Sequence, residues 1–128
     1  MVVDDSEDMR LLCRLALAGE PTIDVCAEAA DGYEAVALAA DNGPDLILLD
    51  YLMPRMDGLT ALSLLREVCP DAVVIFLSAS ASIGVQHEAL AQGAFAVIDK
   101  GGDFAKLSRI VIDACRPEAE RTIRHVLA

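Results

Sequence analysis

The stretch "LILLDYLMPRMDG", residues 46–58, decides the fold. Its first four residues, Leu46 to Leu49, form an unbroken aliphatic run, the pattern of a strand buried on both faces in a parallel sheet. The run stops on an acid, Asp50. Met53-Pro54 and Asp57-Gly58 then mark a loop that leads into a helix, where proline sets the loop, Asp57 suits the cap and Gly58 relieves crowding. Working outward, the same unit recurs along the chain. Aliphatic runs lie at Met1-Val2-Val3, Ile23 to Ala27, Val73 to Leu77 and Phe95 to Ile98. Between them, Met9-Leu12-Cys13-Ala16, Ala35-Leu38-Ala39, Leu62-Leu65-Val68-Cys69 and Ile83-Ala89-Leu90 recur at intervals of three and four, as helix faces do. Ser6 suits the cap of the first helix, with Glu7 and Asp8 in its first turn, while Gly19, Gly43 and Gly93 follow helix ends and Pro70 stops the third. Five strands alternating with five helices imply an α/β domain, a parallel sheet covered on both faces.

Composition narrows the function classes. The 128 residues suffice for one domain and are too few for two well-built ones. With 55% apolar residues, 4% aromatics and no tryptophan, the core must be aliphatic. A net charge of −11 repels DNA and anionic membranes, so no direct nucleic acid or membrane partner is expected. The cysteines, Cys13, Cys26, Cys69 and Cys115, have no metal spacing and are expected to be reduced core residues. His87 and His125 have no ligand partners at metal spacing and are expected to face solvent. No apolar run approaches the length that spans a bilayer, and the acidic start is unlike a signal peptide, which predicts a cytoplasmic protein. Only three residues precede Asp4, short for a central strand, so a chain cut at its start is one expectation. The last helix, from about Phe104 to Cys115, meets a break at Arg116-Pro117. Residues 117–128, with Ala119, Ile123, Val126 and Leu127 on one face, form a C-terminal extension that is a linker helix, a partner surface or a helix packed on its own domain, residues 1–116.

Ligands of open parallel sheets bind beyond the carboxyl ends of the strands. Those ends carry Asp4-Asp5, Asp50, Ser78 and Asp99-Lys100. Asp99 is expected to point away by strand alternation. Carboxylates gathered at one point resist ionisation unless a cation neutralises them. An all-oxygen donor set suits Mg2+, with Lys100 as a compact positive charge for a phosphoryl group and Ser78 as a hydrogen-bond donor to it. Ser80 and Ser82 lie close by, and one of them is expected to cap the fourth helix.

The pieces "VVDDSEDMR", "DLILLDYLMPRMDG", "VIFLSAS" and "GAFAVIDK", in this order and each at a strand end, resemble the receiver domain of bacterial two-component response regulators over almost the whole chain. The resemblance extends to the subfamily with a helix-turn-helix DNA-binding output, whose members often lack a proline after the lysine, as this chain does. The resemblance implies a flavodoxin-like doubly wound five-stranded sheet of order 2-1-3-4-5. It makes Asp50 the residue phosphorylated by a sensor histidine kinase or a phosphotransfer protein. Asp4 and Asp5 would hold Mg2+, with the main-chain carbonyl of Leu52 a further metal ligand. Ser78 would be the hydroxyl that follows the phosphoryl group, and Lys100 the family's lysine. The protein would then be a signalling switch and not an enzyme, with a surface between Ser78 and the fifth helix that changes on phosphorylation; homodimerisation is left open.

Three positions depart from the family pattern. Gly101-Gly102 stands where proline often follows the lysine, which frees that loop. Val97 occupies the place of an aromatic switch residue, and alternation would put Phe95 on the same face. Leu52 is apolar where a polar side chain would steer water, which implies a long-lived acyl phosphate. Two other functions compete. A haloacid-dehalogenase-like Mg2+-dependent phosphohydrolase needs a second acid at Leu52. A pseudo-receiver that only docks partners does not need all five phosphorylation positions filled. No GxGxxG or GxxxxGK[ST] follows the first strand, which disfavours nucleotide enzymes.

Overall fold

The computed structural model describes residues 1–79, 82–101 and 106–117. The elements follow as β1 (Val2–Val3), α1 (Glu7–Leu17), β2 (Glu28–Ala29), α2 (Gly32–Asn42), β3 (Leu46–Asp50), α3 (Gly58–Val68), β4 (Val73–Ser78), α4 (Ile83–Ala91), β5 (Ala96–Asp99) and α5 (Leu107–Cys115). The sheet order is β2-β1-β3-β4-β5 and every pairing is parallel. This is the doubly wound order the resemblance implied.

Strands β3, β4 and β5 each feed two cores. Ile47 and Leu49 of β3, Val74 and Phe76 of β4 and Val97 of β5 join Ala35, Ala39, Ala61, Leu62, Leu65 and Ala89 from α2, α3 and α4. Leu46, Leu48, Ile75, Leu77, Ala96 and Ile98 turn the other way, against Cys13 and Leu17 of α1 and Leu107, Ile110, Val111 and Ala114 of α5. A strand buried on both faces has no polar face to alternate, which is why β3 reads as a solid aliphatic run. Caps behave as their residue types suggest. Ser6 accepts from Met9 N at 3.3 Å, Asp57 from Thr60 N at 2.8 Å and Ser82 from Val85 N at 3.3 Å. Gly43, at φ 55°, closes α2 in the left-handed conformation that glycine adopts without penalty.

Several expectations need correction. The run Ile23 to Ala27 is not a strand; β2 is the two residues that follow it. Register pairs Val2 with Glu28 and Val3 with Ala29, whereas Ile23 N turns back to Glu20 O at 3.2 Å instead of joining a ladder. Leu12 and Ile83 were expected on buried helix faces but are 48% and 71% exposed. Leu12 sits one residue, about 100° of helix turn, from Cys13 at the centre of the buried stripe. Phe95 packs with the core of α1 and α5, whereas Val97 joins the opposite core. The reason is that β5 begins only at Ala96, so alternation does not reach Phe95. Of the cysteines, Cys13 is buried, Cys69 half-buried and Cys26 and Cys115 exposed, and all four are free thiols. His87 is exposed, as expected. Ser80, Phe104, His125 and the extension from residue 118 lie outside the described residues.

Candidate functional site

Asp4 follows the end of β1, and Asp50 and Ser78 are the last residues of β3 and β4. Because β1 and β3 are adjacent, with β2 on the far side of β1, the switch in strand order falls beside Asp4 and Asp50. Here the sheet brings together one carboxylate oxygen from each of Asp4, Asp5 and Asp50, all within 4.8 Å of one another. Asp4 and Asp50 are buried and Asp5 is exposed, so the cluster has a wet side. Lys100, one residue past β5, extends Nζ to 2.7 Å from Asp4 Oδ2 and 2.9 Å from Asp50 Oδ1. Its own backbone N donates to Ser78 O at 2.8 Å, which ties the lysine to the end of β4. Ser78 is buried beside it. Asp99 stays apart and accepts from Gly101 N at 2.8 Å.

The backbone under the site is held by bonds that the sequence reading did not find. Asp4 Oδ1 accepts from Ser6 N at 2.9 Å, and Arg10 Nη1 donates to Asp4 O at 2.7 Å while its Nε lies 3.4 Å from Glu28. Tyr51 N donates to Leu77 O at 3.0 Å and Gly58 N to Tyr51 O at 2.8 Å, closing the loop after Asp50 at its neck. Leu52 in that loop turns its side chain outward, 69% exposed. Asp31 caps α2 and also pairs with Arg55, a contact between residues far apart in sequence.

The electrostatics favour a cation. Burial pushes the Asp50 carboxyl up to about 6 against the pull of Lys100, and the Asp4 charge and a hydrogen bond with Asp5 raise it further. For Lys100, burial alone would lower the pKa, but hydrogen bonding and charge pairing with Asp4 and Asp50 outweigh it and the ammonium is held more tightly than usual. One positive charge thus faces three acids. Asp4 Oδ2 is buried, and its partner among the described residues is the Lys100 ammonium at 2.7 Å, which Asp50 also uses. Hard oxygen donors that share a single ammonium fit a divalent cation such as Mg2+.

A raised carboxyl pKa is a stability statement with a definite sign. Asp50 contributes its full stability below the unfolded carboxyl value of about 4, and loses it as pH rises through about 6. Metal-free Asp50→Asn is therefore expected to be about 1–2 kcal/mol more stable than the native chain at pH 7.5. Urea denaturation at pH 7.5 and 4 checks this; equal stabilities at pH 7.5 contradict it.

Comparison with known proteins agrees with this geometry. The family model described as "Response regulator receiver domain" matches residues 1–112. The chain belongs to the response regulator receiver domains. Among curated relatives, this receiver is 33% identical over 129 residues to a protein-glutamate methylesterase/protein-glutamine glutaminase of Syntrophomonas wolfei, covering 94% of the chain and 36% of the relative. A protein of the same name from Pyrococcus abyssi is 39% identical, over 78% of the chain and 27% of its own length. The receiver thus spans about a third of these relatives, and the rest of their length has no counterpart in it. Among solved structures, the NarL signal receiver domain of Mycobacterium tuberculosis superposes with a TM-score of 0.82 at 32% identity, covering 89% and 92% of the two chains. The CheX–CheY–BeF3–Mg2+ complex of Borrelia burgdorferi gives 0.83 at 33% identity, with 91% and 87% covered. No helix among the described residues of the receiver is long and apolar enough to cross a membrane.

Proposed function

We propose that this receiver is a phosphorylation-dependent switch in which Asp50 accepts a phosphoryl group from a histidine kinase or a phosphotransfer protein. The observation that carries the reading is the cluster of Asp4, Asp5 and Asp50 oxygens within 4.8 Å, with Lys100 Nζ 2.9 Å from Asp50 Oδ1. An Asp50 oxygen attacks the phosphorus of a phosphohistidine; the new O–P bond forms as the P–N bond breaks, and its electron pair leaves on the imidazole. Lys100 holds a positive charge beside the oxygen that reacts. Ser78 donates its hydroxyl to a phosphoryl oxygen and so draws the end of β4 toward the phosphate. Asp4, Asp5, Asp50 and the main-chain carbonyl of Leu52 would hold Mg2+, which when bound neutralises the charge that builds on the transferred group. The complex of the Borrelia relative, named for BeF3 and Mg2+, supports this assignment.

The output is a change at the face built from α4, β5 and α5, read by a partner protein. Residues 1–116 act as the switch and 117–128 as a helical extension or linker. In solution the protein is expected to gain about 80 Da, the mass of one phosphoryl group, on treatment with acetyl phosphate and Mg2+. The adduct should be absent in Asp50→Asn and without Mg2+. A native chain that stays unmodified would instead favour a docking module that is never phosphorylated. Leu52 offers no polar group to steer water, so Leu52→Asn should shorten the lifetime of the adduct roughly tenfold. An unchanged decay rate would remove that role.

A further inference from the structure

The loop between Asp50 and α3 is pinned to the N-terminus of α2 at two adjacent residues. Met56 is buried and lies so close to Gly32 that a Cβ there would come 2.5 Å from its sulfur. Arg55 pairs its guanidinium with Asp31 Oδ2 and lies 5.9 Å over the ring of Tyr33. Asp31 is only 8% exposed, and its other oxygen caps α2 through Glu34 N at 2.9 Å. Among the described residues Arg55 is also the one non-glycine with positive φ, at 68°. A long side chain is strained in that conformation and persists where surrounding contacts impose it. A glycine would satisfy the backbone more easily, so the arginine is there for what its side chain holds.

We propose that Arg55 is a positioning residue: clamped by Asp31 and Tyr33, it fixes the loop from Tyr51 to Asp57 so that the Leu52 main chain is presented to the cation bound by Asp4, Asp5 and Asp50. The proposal rests on the functional reading above. Among the described residues Arg55 pairs with Asp31 and not with Asp4, Asp5 or Asp50, and acts only through the two residues of backbone that separate it from Leu52. The clamp fastens the metal-binding loop to α2, an element that contributes no ligand of its own.

Two substitutions separate this role from simple stability. Arg55→Gly removes the clamp and the strained φ together, so the fold is kept. Asp31→Asn removes the charge partner and keeps a good helix cap. Titration calorimetry of the full chain with Mg2+ should show affinity weakened roughly tenfold in each variant, the scale on which outer partners act on metal sites. The double variant should be no weaker than either single one, because both remove the same contact. Urea midpoints near the native value, together with altered amide shifts confined to residues 51–58, should accompany the loss. Native Mg2+ affinity in both variants, or losses that multiply in the double, overturns the positioning role alone. Failure of the native protein to bind Mg2+ overturns the functional reading, and the positioning role falls with it.

Discussion

Gly58→Ala is expected to lower the unfolding free energy by about 3 kcal/mol, toward the upper end for overpacked sites. A Cβ at this position would lie 2.6 Å from the Asp50 carbonyl oxygen, 2.6 Å from Phe76 Cε1 and 2.9 Å from Tyr51 Cα. Two of these neighbours are backbone, and the third belongs to a ring that is 1% exposed and packed edge-on against Tyr51 at 6.1 Å. The two backbone neighbours cannot move aside without shifting the end of β3, so the substitution should also weaken phosphorylation of Asp50. The same change at Gly84 in α4 makes a direct control. A Cβ there meets nothing nearer than Ser82 Oγ at 3.9 Å, and alanine favours the helix by about 0.5–1 kcal/mol. Urea denaturation of the two variants should give shifts of opposite sign. A Gly58→Ala chain as stable as the native one would show that the loop is not wedged against β3.

Lys100→Met is expected to be the most damaging change within the site. It keeps the unbranched side chain to within one atom of its length and removes the charge that faces Asp4 and Asp50 at 2.7 and 2.9 Å. Breaking a buried pair leaves an uncompensated charge; the lysine side chain is 16% exposed, so solvent screens part of the loss. The expected destabilisation is about 2–3 kcal/mol in metal-free buffer at pH 7.5. Its pH dependence follows from the sign of the Asp50 shift. That carboxyl already sits at about 6 with the ammonium beside it, and without it the value rises further. Protonation then relieves the repulsion, so the deficit should shrink toward pH 5. Millimolar Mg2+ should recover much of it at pH 7.5, because a ligand that binds only the folded state stabilises that state by mass action. Phosphorylation by acetyl phosphate should fall about 100-fold even when Mg2+ is saturating. A deficit independent of both pH and Mg2+ would mean that Lys100 acts through packing alone.

Much of this site is legible from local rules because its chemistry sits at strand ends. Asp4, Asp50, Ser78 and Lys100 each end or directly follow a strand, and the parallel order brings those ends to one rim. Helix caps at Ser6, Asp57 and Ser82 are equally local, for each bonds a backbone group three residues on. The failures share a different cause. Ile23 to Ala27 has strand character, but Ile23 N bonds back to Glu20 O and Ala27 meets β1 through a single bond from Val2 N, and a strand exists only as one side of a ladder. Phe95 lies one residue outside β5, where alternation gives no information. Leu12 and Ile83 follow a helical period yet point past the sheet.

The sequence by itself determined the alternation of elements, the family, and the strand-end acids with their lysine, because these depend on residue type and on neighbours within about four positions. Only the tertiary structure decided that one ammonium is shared between Asp4 and Asp50, that Gly58 is wedged beneath Asp50, and that Arg55 reaches Asp31. Those contacts join residues far apart along the chain, and their distances are set by how strands register and helices pack, to which no local pattern is sensitive.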